Sequence, residues 1–237
     1  MMAGFFTGKI EYTYPHPPLN IRIILVVENA VRKAWEILKN GPPEDLYLPT
    51  ATEKLITIAL LNIIEILRAT ENVDGFNSRE FETVIREGNL ANYNGKHPDK
   101  EPDFIFRLTG IRDGTEKVQD GIIAECKPID AAHPVGSVYC KEGLIRFING
   151  DYAWAMQSGM MIGYVDKSYT IFPKLSDPLF KDKKIYNTTK EPCVCSQSKR
   201  LKQDPLVYET IHERKWGYPR TGEKASDITI RHLWLEK

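Results

Sequence analysis

The spacing of the apolar residues changes near residue 100, and this change constrains the fold more than any other feature of the sequence. Before it, apolar side chains recur every three or four positions, which is typical of helices that bury one face. After it, short apolar runs alternate with turn residues, which is typical of strands. A chain of 237 residues is long enough for one large domain or for a domain with a helical extension. The sequence therefore predicts an α/β (α+β) fold.

Three helices are predicted in the first third of the chain. The first covers 19–39. Gly41 and the two prolines that follow it stop this helix, because proline cannot continue one. The second begins at Thr50 or Thr52, since either hydroxyl can cap the first turn. The third and shortest covers 78–86. These helices precede every predicted strand.

Two apolar segments in the middle third predict an antiparallel β-hairpin. The segments cover 102–108 and 121–127, and each is rich in the residues that strands prefer. The polar stretch between them contains Asp113-Gly114, a dipeptide that favours tight turns. We therefore expect the two segments to pair as neighbouring strands.

A basic stretch interrupts the elements that follow the hairpin. A helix over 141–149 and a strand over 160–165 precede it, and a closing strand is predicted over 228–235. The stretch 181–224 holds eleven basic and six acidic residues, although the whole chain has equal numbers of both. Such a stretch is either a solvated loop or a nucleic-acid contact. Its candidate contacts are Lys199, Arg200 and Lys202.

Two carboxylates and an amine are expected to meet at one end of the hairpin. Glu125 and Lys127 lie two apart, so their side chains project to the same face of the strand, and Cys126 projects to the other. The hairpin can bring Asp103 beside them. Two carboxylates suit Mg²⁺, which binds through one or two protein oxygens, waters and phosphate oxygens. The alternative is that Glu125 and Lys127 form an ordinary solvated strand face.

Pro102-Asp103, followed after twenty-one residues by Glu125-Cys126-Lys127, resembles the PD-(D/E)xK nuclease superfamily. The resemblance implies a restriction-endonuclease-like fold, a central mixed sheet flanked by helices, whose α-β-β-β-α-β core covers about 78–165. It implies that Asp103 and Glu125 ligate Mg²⁺, with Mn²⁺ as a substitute, and that Lys127 serves the water that attacks DNA. Residues 1–75 would then be a helical extension packed on a nuclease-like domain, 76–237, with a C-terminal basic loop and a closing strand.

The superfamily often adds an acidic residue from the helix before the aspartate. Glu82 is the candidate that this resemblance implies, and Glu80 and Glu65 are alternatives. Each of them is otherwise an ordinary helix-surface charge. The catalytic set that follows from the resemblance is Asp103, Glu125, Lys127 and Glu82.

Some members also use a glutamine or a basic residue on the helix after the lysine. Arg146 and Gln157 occupy this region and are therefore candidate nucleic-acid contacts. One large branch carries Gln-x-x-x-Tyr, but here Met161 stands four positions after Gln157. The chain departs from that branch.

A zinc site is a weaker alternative elsewhere in the chain. Cys193-x-Cys195 could join His212 or His232, but the spacing matches no common zinc finger. Ordinary loop thiols are the competing interpretation.

The sequence leaves three functional hypotheses. The first is a metal-dependent DNA endonuclease, which family habit would connect with restriction or phage defence, as a homodimer or within a larger defence complex. The second is a non-catalytic nucleic-acid-binding module, and the third is an interaction subunit; RNA is kept as an alternative substrate. The longest apolar stretch, 55–67, is too short and too polar to span a bilayer, so no membrane partner is expected. The opening residues lack the pattern of a secretory signal, and four scattered cysteines favour a cytoplasmic setting.

Overall fold

Two long helices open the part of the chain that the structure describes. The structure is a computed structural model and describes residues 11–237. Helix α1 (Ile21–Asn40) begins after Asn20, whose side chain accepts a hydrogen bond from the N–H of Arg22. Helix α2 (Glu53–Thr70) begins after Thr52, whose hydroxyl accepts from the N–H of Leu55. The first two of the three helices predicted in this region are confirmed, and Thr52 is the cap of the second.

Six strands form one mixed sheet behind these helices. They are β1 (Phe104–Phe106), β2 (Ile122–Ile129), β3 (Ser158–Val165), β4 (Thr188–Val194), β5 (Val207–His212) and β6 (Ile228–Glu236). Their order across the sheet is β1-β2-β3-β6-β5-β4. Strands β2, β3 and β6 are parallel, whereas β1 at one edge and β5 and β4 at the other are antiparallel to their neighbours. The predicted α/β class and the predicted hairpin are confirmed, and the closing strand lies inside the sheet.

A helical crossover connects β2 to β3. It consists of a π-helical stretch, Val135–Leu144, followed by α3 (Ile145–Ile148), so the helical region begins earlier than the predicted 141–149. Gly143 allows this crossover to approach the sheet, because a Cβ there would lie 2.6 Å from Met161 Cε and 3.3 Å from Lys127 Cγ. The crossover is therefore packed directly against the strand that carries Lys127.

Both N-terminal helices share their core with the sheet. The ring of Trp35 on α1 stacks on Tyr164 of β3 at 5.6 Å, and the indole N–H of Trp35 donates to the carbonyl of Glu236. Thr57 on α2 shares a hydrogen bond of 3.1 Å with the Tyr164 hydroxyl. One apolar cluster contains buried residues of both helices and of the strands. This packing brings the start of α2 close to β2.

The helix predicted over 78–86 is wrong. The chain makes a turn there and then runs extended beside β1. The N–H of Ile105 donates to the carbonyl of Ile85 at 2.9 Å, and the N–H of Glu82 donates to the carbonyl of Arg107 at 2.9 Å. The β-branched run 83–85 favours this extended backbone. The apolar residues of this segment have helical spacing, but the segment is extended and pairs with β1.

The basic stretch 181–224 is not one loop. It contains strands β4 and β5, one short helix before β4 and one between β4 and β5. The remaining short helices are α4 (Ile171–Lys174), α5 (Ser176–Lys181), α6 (Lys183–Tyr186) and α7 (Ser196–Arg200). Within residues 11–237, no helix combines the length and the apolar character needed to cross a membrane.

Candidate active site

The hairpin brings Asp103, Glu125 and Lys127 together. Asp103 directly precedes β1, and the pairing of Phe104 with Ala124 places it opposite the residue after Ala124, which is Glu125. One Asp103 oxygen, Oδ2, accepts a hydrogen bond of 2.7 Å from the backbone N–H of Cys126. Lys127 Nζ lies 2.8 Å from Glu125 Oε1. The expected meeting of two carboxylates and an amine is therefore present in the geometry.

Glu125 is the most deeply buried member of this cluster. Its side chain is 1% exposed, and Oε1 lies 2.8 Å from both Lys127 Nζ and Arg146 Nη1. Its other oxygen, Oε2, is buried and accepts no hydrogen bond from an N–H donor among residues 11–237. Burial, together with the charge of Asp103, raises the pKa of Glu125 to about 7, against the two cations. This carboxyl is therefore held near its titration point at neutral pH.

The other two members respond to the same surroundings. Burial raises the pKa of Asp103, although the Cys126 N–H favours its charged form. Burial alone would favour the neutral amine of Lys127, but the carboxylates of Glu125 and Glu53 outweigh it and raise the pKa of Lys127. Lys127 is therefore a stable cation in the absence of other ligands.

Glu53 is a member of the site that the sequence analysis did not identify. It is the first residue of α2, and its Oε1 lies 3.5 Å from Lys127 Nζ. Burial raises the pKa of its carboxyl, against the charge of Lys127. Its position after the Thr52 cap was the only local signal, and that signal indicates a helix start rather than an active site.

The structure separates Glu82 from the cluster. Glu82 lies on the extended segment beside β1, and its Oε1 is 3.1 Å from Lys117 Nζ. The alternative Glu65 pairs with Arg68 at 2.8 Å and accepts the N–H of Val84. The acidic residue that approaches the cluster from a helix is thus Glu53 on α2.

The predicted nucleic-acid contacts fall in three places. Arg146 reaches Glu125 directly, as described above. Gln157 instead donates from Nε2 to the carbonyl of His16 at 2.8 Å. The three exposed residues Lys199, Arg200 and Lys202 lie in and just after α7, between β4 and β5. They are therefore at the sheet edge opposite to β1.

A cleft of about 560 Å³ opens beside the cluster. The start of α2 forms one wall, and Lys127 and the residues that follow β2 form the other. The ionisable residues that line it are Glu53, Lys127, Asp130, His133, Glu142 and Lys237. The cleft provides access from solvent to the side of the cluster where Glu53 and Lys127 meet.

The donor set fits a hard divalent cation. A buried carboxylate oxygen that no N–H donor of residues 11–237 reaches, on a group whose charge is disfavoured by burial, is a suitable ligand for a cation. Within residues 11–237, no three side chains of His, Cys, Asp or Glu are grouped as a metal cage. Mg²⁺ does not require such a cage, because it keeps several waters and takes one or two carboxylates with substrate oxygens. Asp103 and Glu125 are the residues that would hold it.

The cysteine and histidine candidates are engaged elsewhere. Cys195 is buried and donates from Sγ to Glu209 at 3.4 Å. His212 and His232 are buried, and both ring nitrogens of each take part in hydrogen bonds, including one from each to Thr210. A zinc site would have to break these hydrogen bonds.

Comparisons of the chain with protein-family models, with curated proteins and with solved structures find no match.

Proposed function

We propose that the protein is a divalent-metal-dependent endonuclease that hydrolyses phosphodiester bonds of DNA by PD-(D/E)xK-type chemistry. The observation that carries the proposal is the cluster of Asp103, Glu125 and Lys127 beside an open cleft, with a buried Glu125 oxygen that no N–H donor of the described residues reaches. Paired carboxylates and a cation at this spacing suit the binding of a metal and of a phosphate.

The order of elements supports the proposal. Helix α2 is followed by the extended segment beside β1, then by β1, β2, the crossover and β3. This order fits the α-β-β-β-α-β core that the resemblance implies, with α2 rather than 78–86 as its first helix. Glu53 on α2 then has the position that the superfamily gives to its additional acidic residue.

Each residue of the cluster has a separate role in the proposed reaction. Asp103 and Glu125 bind the cation, and their charge is balanced by it. When bound, Mg²⁺ supplies a water of lowered pKa and charge for the phosphate oxygens. Lys127, held as a cation by its carboxylate neighbours, stabilises the negative charge that develops on the phosphate. Glu53 orients the Lys127 ammonium from the cleft side.

Cleavage of supercoiled plasmid, linear duplex and single-stranded DNA tests the proposal, with RNA as the alternative substrate. We expect cleavage with Mg²⁺ or Mn²⁺, none with EDTA, and none by Asp103→Asn or Glu125→Gln. Glu36→Gln is a matched control, because Glu36 is an exposed acid paired only with Lys33. Equal cleavage by Glu125→Gln and the parent protein would refute the proposal.

A non-catalytic nucleic-acid-binding module is the second candidate function. It is favoured by the two cations that already neutralise Glu125 without a metal. Such a module would retard DNA equally with and without Mg²⁺ and would not cut it. A gel-mobility assay with both conditions separates the two candidates.

The setting of the protein is part of the proposal. The four cysteines are free thiols, which suits a reducing cytoplasm. Restriction or phage defence is the proposed context, with a homodimer or a larger defence complex as the assembly. The mass in solution, measured by size-exclusion chromatography with light scattering, tests the homodimer.

A further inference from the structure

Glu125 binds two cations through a single oxygen. Lys127 Nζ and Arg146 Nη1 each lie 2.8 Å from Oε1, while Oε2 accepts no hydrogen bond from an N–H donor in the described part of the chain. The two cations differ in their freedom, because the Lys127 side chain is 10% exposed and the Arg146 side chain is 34% exposed. Arg146 therefore stands between the buried carboxylate and solvent.

A second hydrogen bond tethers Arg146 beside the site. Its Nη1 also donates to the Tyr152 hydroxyl at 2.6 Å, and its guanidinium lies 5.4 Å from the centre of the Tyr152 ring. Tyr152 is buried, and its hydroxyl donates in turn to the carbonyl of Glu101 at 2.9 Å. The same Arg146 Nη1 is therefore held by the Tyr152 hydroxyl as well as by Glu125.

The charges at the site explain why Arg146 is needed without a metal. Asp103, Glu125 and Glu53 carry three negative charges when ionised, and Lys127 supplies one positive charge beside them. A second cation brings the cluster close to neutrality. A divalent cation bound to the same carboxylates would repel a guanidinium that remains on Glu125.

We propose that Arg146 is a tethered counter-ion that competes with the divalent cation for Glu125 and so sets the metal affinity of the DNA-free site. The inference rests on the proposed metal site and adds a regulation of its loading. Arginine suits this role, because it keeps its charge at every pH at which the protein is folded and cannot act as a proton acceptor.

Binding of Mn²⁺ to the DNA-free protein tests the inference without any measurement of activity. The free-ion signal in electron paramagnetic resonance gives the dissociation constant, at pH 8.5, where Glu125 is ionised. Arg146→Met removes the charge and keeps most of the apolar stem. It leaves Lys127 on Glu125 and Tyr152 on Glu101, so no buried partner is orphaned. We expect Arg146→Met to bind Mn²⁺ about tenfold more tightly than the parent protein.

Two further variants make the result specific. Lys141→Met removes an exposed cation from the same crossover and is expected to leave the affinity unchanged. Tyr152→Phe keeps the Arg146 charge but removes its tether, and we expect a smaller tightening, about threefold. This second variant provides the test if Arg146→Met does not fold.

The outcomes separate this inference from the proposed function. If Glu125→Gln abolishes Mn²⁺ binding but Arg146→Met binds no more tightly than the parent protein, the counter-ion role is refuted and the metal site stands. If Glu125→Gln, Arg146→Met and the parent protein all bind Mn²⁺ equally, both proposals fail.

Discussion

At the scale of single residues, the chemistry of the candidate site is concentrated in one buried carboxyl. Glu125 is placed between an acid and two cations, and its own side chain is almost completely buried. Its pKa of about 7 follows first from burial and then from the charge of Asp103. Such a group is costly for the folded protein when ionised and favourable for a cation.

Stability without metal should depend on Glu125. Its folded-state pKa of about 7 lies above its ordinary value of 4.5, so the folded state binds the extra proton between these values. The contribution of Glu125 to stability is therefore present below pH 4.5 and is lost as pH rises through 7. We expect Glu125→Gln to be more stable than the parent protein at pH 8.5 by about 3 kcal/mol, and the difference to become small at pH 4.5. Urea unfolding in EDTA measures it, and a pH-independent difference would contradict this assignment.

Substitutions of Glu53 and Glu82, the two acidic candidates from outside the hairpin, should affect the rate of DNA cleavage differently. Glu53 contacts Lys127, whereas Glu82 contacts Lys117. We expect Glu53→Gln to lower the rate of DNA cleavage at least about tenfold, and Glu82→Gln to change it less than about twofold. The reverse ranking would return the additional acidic role to Glu82.

Lys127 discriminates between two chemical roles. Its raised pKa favours a fixed cation over a proton acceptor. We expect Lys127→Ala to reduce cleavage about a hundredfold or more while DNA binding changes little, because the ammonium acts chiefly in the transition state. Lys127→Arg keeps the charge but cannot be deprotonated, so we expect it to retain more activity than Lys127→Ala. Equal loss in both variants would favour base catalysis.

At the scale of elements, a buried hydrogen-bond chain connects the crossover with β6 and β5. The Tyr139 hydroxyl, which also lies 3.3 Å from the carbonyl of Met161, donates over the shorter distance of 2.9 Å to His232 Nδ1. His232 Nε2 donates to Thr210, Thr210 donates to His212 Nε2, and His212 Nδ1 donates to the carbonyl of Tyr186. This direction follows because the carbonyl at the end can only accept. Each imidazole is thereby fixed as one neutral tautomer.

The two buried histidines of this hydrogen-bond chain predict a loss of stability in acid. Burial lowers the pKa of His212 to about 4 and that of His232 well below 6.5. Both histidines therefore bind protons more readily in the unfolded state, and stability falls as pH drops below 6.5. Glu125 has the opposite effect over an overlapping range, so the measurement belongs in the Glu125→Gln background. We expect its free energy of unfolding to fall by about 2 kcal/mol between pH 6.5 and pH 5.

The substitution Thr210→Val tests how much this hydrogen-bond chain contributes to stability. The substitution keeps the shape of the side chain but leaves His232 Nε2 without an acceptor and His212 Nε2 without a donor. We expect a cost of about 2–3 kcal/mol in the free energy of unfolding at pH 7.5. A cost below about 0.5 kcal/mol would show that the chain contributes little.

At the scale of the whole molecule, three candidate basic contacts lie at the sheet edge opposite to β1. Lys199, Arg200 and Lys202 lie near β4, four strand spacings from β2. This separation is roughly 20 Å, or about six base pairs of duplex DNA. If the proposed function is correct, a duplex of this length bound at the candidate site would be long enough to reach them.

The salt dependence of DNA binding tests this contact. If all three residues touch phosphates, replacing them together by glutamine should reduce the log–log slope by about 2.7. Lys33→Gln with Lys39→Gln, two exposed positions on α1, is the control and should leave the slope unchanged. An unchanged slope in the triple variant would identify these residues as ordinary solvated charges.

The sequence by itself determined the elements whose signals are local. The helical spacing before residue 71 specifies α1 and α2, with Thr50 or Thr52 as the possible cap of the second, and the alternation of strand side chains places Glu125 and Lys127 on one face. The hairpin then brings in Asp103, because β1 and β2 are consecutive strands that pair antiparallel across the single connection 107–121.

Only the tertiary structure decided which other residues reach this cluster. The segment 78–86 has helical spacing, yet it pairs with β1, because hydrogen bonds to a distant strand outweigh a weak local preference. Glu53 lies 74 positions before Lys127 and meets it because α2 packs across the sheet. Arg146 reaches Glu125 because Gly143 allows the crossover to approach β2. Such contacts depend on how whole elements pack, and the spacing of residues along one segment carries no information about that packing.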